Sequence, residues 1–264
     1  MDFSADEIER YSRQLVLPDI GGPGQQRLKR TSLLVVGAGG LGGPVATYCA
    51  AAGLGRIGIA DGDRVALNNL HRQVQFETGD VGQPKAATAA AALARLNPHT
   101  VVEAIGEQVT ASSIGPLVAG YDIVADCTDS ADARYVISDA CFLARKPLVT
   151  AAVMRVDGHV TTLKPYEAGP DGRPNPTYRC LFPQMPNVAE ATCAELGVLG
   201  VLAGLVGCIQ ATEIIKEAAG MGASLVRRLL LIDGRDLRFE TIGYAWDPAN
   251  PLSGTGAARR PDSL

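Results

Sequence analysis

The chain has 264 residues, enough for one large domain or two small ones, and 47% of them are hydrophobic. Its formal net charge of −4 argues against general nucleic-acid binding and against a surface suited to anionic membranes, since both need a basic face. The most apolar run, from Leu196 to Ile209, is too short to span a bilayer. The N-terminus is acidic and shows no signal-peptide pattern, and the six cysteines are scattered. We therefore expect a cytoplasmic protein whose thiols are reduced.

The first sixty residues predict two helices followed by a strand, a glycine-rich turn, a helix and a second strand. Ile8, Tyr11 and Leu15 recur at helical spacing, and the apolar run at 33–36 leads directly into the turn. The second strand ends at Asp61. The predicted elements are helices over 5–17, 23–30 and 41–52 and strands over 33–36 and 56–60.

Alternating strands and helices continue to about residue 150 and predict an α/β fold with a Rossmann-like, mostly parallel sheet and helices on both faces. After Val153 further apolar runs predict antiparallel strands that extend the same sheet, with a hairpin at Gly234. The predicted elements are helices over 85–96, 131–145 and within 196–209, and strands over 101–105, 121–126, 147–150, 159–163, 228–232 and 237–241.

We find no repeat and no linker, so we expect one domain over 1–264. Its nucleotide-binding half covers about 31–152, and a second half covers about 153–243. A loop rich in proline and glycine lies at 167–187, and residues 247–264 have the composition of a frayed tail.

The glycine-rich turn predicts a nucleotide site. Gly37 and Gly39 allow a tight turn and close approach of the backbone to phosphate, while Gly42 lets the following helix pack against the strand. The helix N-terminus supplies N–H groups for an anion. Asp61, about 20 residues further on at a strand end, stands where a carboxylate binds ribose hydroxyls.

The polar segment after Asp61 favours ATP over a dinucleotide. Arg72 and Lys85 supply cations for phosphate oxygens on which charge develops, and a hydride-transfer enzyme needs no such pair. Arg13 could be a third cation, although the residues alone favour a solvated position on a helix face.

Two aspartates follow the predicted strand over 121–126. Because ligands of open α/β sheets lie at the carboxyl ends of the strands, Asp129 is a candidate Mg²⁺ ligand beside a triphosphate. Asp126 is either a second ligand or a cap of the next helix. Cys193, at the start of a predicted helix, is either a nucleophile with a lowered pKa or an inert thiol.

Taken in order, these motifs resemble the ThiF/MoeB/HesA family, the bacterial relatives of ubiquitin-activating enzymes. The similarity covers about residues 5 to 242. The motifs that carry it are Arg10-Tyr-Ser-Arg13-Gln14, Gly37-Ala-Gly39-Gly40-Leu-Gly42, Asp61-Gly-Asp63, Asn69-Leu-His-Arg72-Gln73, Gly82-Gln-Pro-Lys85, Asp126-Cys-Thr-Asp129, Tyr178-Arg-Cys180-Leu and Thr192-Cys193-Ala-Glu-Leu-Gly197.

The resemblance implies an adenylyltransferase. A ubiquitin-like sulfur-carrier protein presents its C-terminal Gly-Gly carboxylate to Mg-ATP, pyrophosphate leaves, and the acyl-adenylate is open to sulfur transfer in thiamine, molybdopterin or related biosynthesis. The half over 153–243 would then bind the carrier. Because no sulfurtransferase domain is visible, we expect the sulfurtransferase or desulfurase to be a separate protein.

The resemblance also implies residue roles. Asp61 binds the ribose, Asn69, Arg72 and Lys85 contact phosphates, and Asp129 binds Mg²⁺. Arg13 reaches the site of the other subunit in a homodimer, which replaces its interpretation as a solvated residue. Cys193 matches a cysteine that some members use covalently. The implied nucleotide-binding residues are Gly37, Gly39, Gly40, Gly42, Asp61, Asp63, Asn69, Arg72, Gln73 and Lys85, and the implied catalytic residues are Arg13, Arg72, Lys85, Asp129 and Cys193.

One departure from the family concerns zinc. Many members hold a structural zinc on two Cys-x-x-Cys pairs, but here the first pair is Thr177-Tyr-Arg-Cys180 and no cysteine follows Cys208. A four-coordinate site cannot be built from what remains, so we predict no structural zinc. Packing alone would then hold the loop and tail, or they would be mobile. A second departure is Ser130, where asparagine is more usual.

Three alternatives stay open at this stage. The first is a nicotinamide-dependent oxidoreductase, which Arg72, Lys85 and Asp129 disfavour. The second is a silent or regulatory homologue without catalysis. The third is an enzyme that activates a carboxylate other than that of a carrier protein.

Overall fold

One eight-stranded sheet forms the centre of the molecule in the computed structural model, which describes residues 3–184 and 197–256. The strands are β1 Ser32–Val36, β2 Arg56–Ala60, β3 Val101–Ile105, β4 Ile123–Asp126, β5 Leu148–Met154, β6 Asp157–Leu163, β7 Arg228–Asp233 and β8 Arg238–Gly243. They lie in the order β3-β2-β1-β4-β5-β6-β7-β8. Strands β1 to β5 pair in parallel and β6 to β8 are antiparallel to their neighbours, so the predicted fold class is confirmed.

Helices cover both faces of the sheet because its central strands are apolar on both sides. The described helices are α1 Ala5–Arg10, α2 Ser12–Leu15, α3 Gly21–Arg30, α4 Gly42–Ala52, α5 Lys85–Leu96, α6 Ile114–Ala119, α7 Ala131–Leu143, α8 Tyr178–Leu181 and α9 Gly200–Ala219. In β1, Leu33 and Val35 belong to one buried cluster with α3, α4, α5 and α9, while Leu34 and Val36 belong to the other with α6, α7 and α8. No helix in the described ranges is long and apolar enough to cross a membrane.

The strand order changes direction at β1, which pairs with β2 on one side and β4 on the other. The chain crosses from β1 to β2 by α4 and reaches β4 only after β3, so the connections on the two sides diverge. In open α/β sheets this divergence leaves a crevice beyond the carboxyl ends of the strands. The fold therefore places a crevice beside Val36 and Asp126, the last residues of β1 and β4.

In the first half one local prediction is wrong and one helix was not predicted. The helix expected over 5–17 is interrupted at Tyr11, whose side chain is buried and whose hydroxyl accepts a hydrogen bond of 2.8 Å from the Asn97 amide. This tertiary contact outweighs the helical periodicity. Helix α6 was not predicted, because Gly115 and Pro116 hide the apolar pattern of a six-residue element.

The boundary expected near residue 153 between the two halves of the domain lies within a β-hairpin. The strand expected to stop at residue 150 continues to Met154, and β5 pairs along its whole length with β6. Arg155 takes a positive φ of 55°, which makes the turn between them and explains the change of sequence texture near Val153. The hairpin predicted at Gly234 is confirmed by the pairing of β7 with β8.

A hydrogen-bonded cluster holds the described part of the tail against α8. The Asn250 amide donates to Thr177 Oγ1 at 2.8 Å and to Cys180 Sγ at 3.0 Å. Its carbonyl oxygen accepts from the backbone N–H groups of Leu252 and Ser253. Asn250 is 2% exposed and Thr177 is fully buried. Packing alone or mobility was expected here from the sequence, and hydrogen bonds act in addition to packing.

We predict that Asn250→Ala lowers the free energy of unfolding by about 1–3 kcal/mol, because Thr177 and Cys180 lose a donor in a buried place. Urea denaturation of the two proteins measures this. Asn250→Asp is the matched variant, since it keeps the acceptor oxygen for Leu252 and Ser253 and removes only the amide donor. The melting temperature of the native protein is expected to be insensitive to zinc chelators. A chelator-dependent melting temperature would contradict a zinc-free cluster.

Candidate nucleotide-binding site

A cavity of about 310 Å³ lies at the carboxyl ends of β1, β2 and β4. Its wall includes the last residues of β1 and β2, Val36 and Ala60, and the turn between β4 and α7. The crevice expected from the strand order is therefore present. Nine of the predicted site residues line it, namely Gly37, Gly39, Gly40, Asp61, Asp63, Arg72, Gln73, Lys85 and Asp129.

The glycine turn between β1 and α4 needs glycine at two positions for steric reasons. Gly37 has a φ of 96°, and a Cβ there would lie 2.8 Å from the Cys127 carbonyl oxygen. At Gly42 a Cβ would overlap the Gly37 carbonyl oxygen, so Gly42 serves close packing and does not line the cavity. No side chain caps the start of α4, which leaves backbone N–H groups and the positive end of the helix dipole for an anion.

Gln75 supports this turn and was missed by the sequence reasoning. Its amide donates to the carbonyl oxygens of Ala38 at 2.8 Å and Gly39 at 3.3 Å. Gln73, which was predicted, is 4% exposed, and its Oε1 is buried without a hydrogen-bond partner among the described residues. An unpaired amide oxygen in the cavity wall fits a donor on a ligand, because unpaired buried polar atoms are unfavourable.

Asp61 and Asp63 form a connected pair of carboxylates. Asp61 accepts the backbone N–H groups of Ala38 at 2.7 Å and Asp63 at 2.8 Å, so it links the glycine turn to the end of β2. Asp63 accepts Lys85 Nζ at 2.9 Å and Gln108 Nε2 at 3.0 Å. Asp61 therefore has lone pairs left for hydroxyl donors, while the contacts of Asp63 are to the protein.

Lys85 is the buried cation of the site. It opens α5, its side chain is 7% exposed, and the ion pair with Asp63 offsets the cost of burying an ammonium group. The Lys85 backbone N–H also bonds to the Asp63 carbonyl oxygen at 2.9 Å. This double attachment fixes the ammonium group at the cavity wall.

Arg72 is half-buried, lines the cavity and lies next to Gly40 of the glycine turn. Its Nη1 donates to the Asn68 carbonyl oxygen at 3.2 Å and lies 2.9 Å from His71 Nε2. The same segment packs against the start of α9, where a Cβ on Gly200 would lie against the His71 carbonyl oxygen. None of these contacts neutralises the guanidinium charge, which remains available for an anion.

Asp129 differs from the other two carboxylates of the cavity. It is exposed and lines the cavity, and within the described ranges its oxygens make no hydrogen bond or ion pair. A free anionic oxygen fits Mg²⁺, which binds through one or two carboxylates together with phosphates and water. The described residues contain no group of three or more side chains that could hold a metal by themselves. The arrangement therefore fits Mg²⁺ shared with a triphosphate.

Three predicted residues lie away from the cavity wall. These are Gly42, Asn69, whose amide bonds to the Asn68 side chain at 3.1 Å, and Arg13, which is exposed on α2. Cys193 lies outside the described residues. Cys127 does line the cavity, but burial raises the pKa of its thiol well above the usual value, so it remains protonated and is not a nucleophile.

Several residues of the cavity wall were not predicted from the sequence. Gln108 follows β3 and reaches the cavity only because β3 is the parallel neighbour of β2. Arg134 lies one turn into α7, where a helical arginine looks like a solvated side chain. The others that sequence reasoning did not find are Val109, Thr128, Ser130, Ala133, Val153, Val198 and Ala203.

A glycine turn, carboxylates, two cations and an aspartate without a partner among the described residues meet in one cavity at the strand ends of an α/β sheet, an arrangement typical of nucleotide-binding proteins. The sequence model of the ThiF family matches residues 11–251. The chain belongs to the ThiF family.

Relatives and solved structures agree with this assignment. The sulfur carrier protein adenylyltransferase of Thermus thermophilus is 42% identical over 261 residues, which cover 98% of this chain and 96% of that protein. The adenylyltransferase and sulfurtransferase MOCS3 of Bos taurus is 49% identical over 88% of this chain, which spans about half (50%) of its length. The crystal structure of E. coli MccB with MccA-N7isoASN has a TM-score of 0.79 over 93% of this chain and 75% of that one, and its 19% identity speaks to the fold alone.

Proposed function

We propose that the protein adenylylates the C-terminal Gly-Gly carboxylate of a small ubiquitin-like sulfur-carrier protein, with ATP as the donor and pyrophosphate as the leaving product. The observation that carries the proposal is the single cavity that brings Arg72, Lys85 and the unpaired Asp129 to the glycine turn. An oxidoreductase that binds a dinucleotide does not require this combination of two cations and an unpaired aspartate. The likeness to the adenylyltransferase of Thermus thermophilus over nearly the whole chain supports the same reaction.

The reaction follows from the chemistry of the two substrates. A carboxylate oxygen of the carrier attacks the α-phosphorus of ATP, and a new P–O bond forms. The bond from the α-phosphorus to the oxygen that bridges it to the β-phosphorus breaks, and pyrophosphate leaves with the electron pair. The products are an acyl-adenylate and pyrophosphate, and no redox change occurs.

The chain's own side chains contribute mainly positioning and charge. Asp61 would accept the ribose hydroxyls, and the uncapped start of α4 would face phosphate oxygens. Arg72 and Lys85 would offset the negative charge that moves to the pyrophosphate oxygens. Since Lys85 is already held by Asp63, its ammonium group needs no reorganisation when the nucleotide binds.

Asp129 is the residue that would hold Mg²⁺, together with phosphate oxygens and water. The ion, when bound, supplies positive charge to the phosphates during the displacement. A cofactor set of ATP and Mg²⁺ without structural zinc is part of this proposal.

The proposed active form is a homodimer. Arg13 makes no hydrogen bond or ion pair with the described residues of its own chain and does not line its own cavity, which supports a role in the site of a second subunit. Apolar side chains next to it are exposed, with Val16 at 75% and Leu17 at 48%. Such side chains become buried when a second copy covers them. We further propose that the sulfur donor is a separate protein and that Cys193 acts in a step after adenylylation.

Intact mass spectrometry tests the function. Small Gly-Gly-ended carrier proteins from the same cell are incubated with the enzyme and Mg-ATP, and one carrier is expected to gain the mass of AMP. A carrier with an amidated C-terminus is the control and should stay unmodified, because it lacks the attacking oxygen. ATP binding without any carrier adduct would contradict the proposal and favour another carboxylate substrate or a silent homologue.

A further inference from the structure

Asp126 is a fully buried carboxylate that the proposed reaction does not use. It is the last residue of β4, it is 0% exposed, and it is absent from the cavity wall although Asp129, three residues later, is part of it. A buried carboxylate is unfavourable unless donors surround it. The contacts of Asp126 therefore indicate its role.

Both oxygens of Asp126 accept hydrogen bonds from the protein. Oδ1 accepts the Thr128 backbone N–H at 3.1 Å and the Thr128 hydroxyl at 2.7 Å. Oδ2 accepts the hydroxyl of Thr150 on the neighbouring strand β5 at 2.7 Å. The carboxylate thus closes a short turn over Asp126–Thr128 and fixes that turn to the sheet. It does not cap α7, because Ser130 accepts the N–H of Ala133 at the start of that helix.

A charge partner and a second set of bonds stabilise the same turn. Arg134 is 13% exposed, with its Nε 3.8 Å from Asp126 Oδ2 and its Nη2 donating to the Thr128 carbonyl oxygen at 2.9 Å. From α9, the buried Gln210 amide donates to the carbonyl oxygens of Asp126 at 2.8 Å and Val149 at 3.0 Å. The side chains of Asp126, Arg134 and Gln210 therefore each bond to the backbone of Asp126 or Thr128, which leads into Asp129.

We propose that Asp126 is a positioning residue that fixes the Thr128–Asp129 backbone, so that the Asp129 carboxylate faces the cavity before Mg-ATP arrives. This rests on the proposed function, since it assigns Asp129 to the metal. The alternative that Asp126 is itself a ligand has no support, because its oxygens already accept three hydrogen bonds and lie outside the cavity. Fixing a ligand by its supporting bonds improves metal affinity without adding a contact to the metal.

Thr150 allows a clean test because it is 1% exposed, does not line the cavity and reaches the site only through Asp126. Thr150→Val removes one hydrogen bond at nearly constant shape, and Thr150→Ser keeps the hydroxyl. Binding of ATP to the full chain is measured by calorimetry across a MgCl₂ titration and without added metal. We expect Thr150→Val to raise the half-saturating Mg²⁺ concentration roughly three- to tenfold. Thr150→Ser should match the native protein, and metal-free ATP binding should not change.

Asp126→Asn is the second variant, in case the valine variant does not fold. The asparagine amide can still accept hydrogen bonds from Thr128 and donate one to Thr150. The substitution removes the charge partner of Arg134, so we expect it also to raise the Mg²⁺ concentration needed for ATP binding. An unchanged requirement in folded variants would overturn the positioning role and leave the proposed function standing. A parallel loss of metal-free ATP binding would overturn it as well, because the defect would then be structural. If the native protein binds ATP without any Mg²⁺ dependence, it is the metal assignment of the proposed function that fails.

Discussion

Asp129→Ala is expected to lower the rate of adenylylation at least about 100-fold, because the residue that would hold Mg²⁺, and with it positive charge for the phosphates, is removed. Asp129 is the lining carboxylate with no partner in the described chain, so the substitution breaks no contact there and should not change stability. The measurement is the rate of AMP transfer to the carrier at saturating ATP, with the melting temperature measured in parallel.

Asp132→Ala is the matched control for this prediction. Asp132 is an exposed aspartate in the first turn of α7, close to Asp129 in sequence and away from the cavity wall. Its removal should leave the rate within about twofold, since surface charges are screened. Full activity of Asp129→Ala would remove Asp129 from the metal site.

Arg13→Ala and Asp129→Ala are each expected to abolish most activity alone and to restore it when mixed. In a mixed dimer one site combines the intact Asp129 of one subunit with the intact Arg13 of the other, while the second site carries both changes. Random mixing makes half of the dimers mixed, each with one of two sites working, so we expect about a quarter of the native activity per protomer. The carrier-adenylylation rate measured after unfolding and refolding the mixture tests this.

The control for complementation is a mixture of Lys85→Ala with Asp129→Ala. Lys85 and Asp129 line the same cavity of one chain, so every site in the mixed dimer lacks one of them and no activity should return. Absence of recovery in the Arg13 mixture would show that Arg13 does not act across subunits. Recovery in the control would show that mixing restores activity by a route other than a shared site.

The sequence predicts the strand-end residues well for a physical reason. Gly37 and Asp61 follow buried strands directly, and Asp129 lies three residues after the last residue of β4, so their place at the carboxyl edge of a parallel sheet follows from the pattern. Lys85 is the first residue of α5 and Arg72 lies between elements, so the need for cations near a triphosphate and the family motifs pointed to them.

Residues that act through tertiary contacts could not be predicted in this way. Gln108 and Gln75 reach the site from segments with no periodic signal, and the role of Asn250 depends on Thr177, more than seventy positions earlier. Tyr11 breaks a helix because of a partner at Asn97, which local propensity does not reveal. These contacts depend on the assembled sheet, and an isolated motif does not encode them.

Helix α9 contacts the site region along its first half, and Ala203 is part of the cavity wall. Gly200, its first residue, packs on the backbone before Arg72, and Gln210 bonds to Asp126 at the end of β4 and to Val149 of β5. Ten residues of helical rise, about 15 Å, therefore separate the contact beside Arg72 from the contact beside the turn that leads to Asp129. Inserting or deleting one residue between Gly200 and Gln210 would turn Gln210 by about 100° away from the sheet. Substitutions on the face of α9 that points away from the sheet would not. Homologues of this protein should therefore vary in composition along this segment while keeping its length.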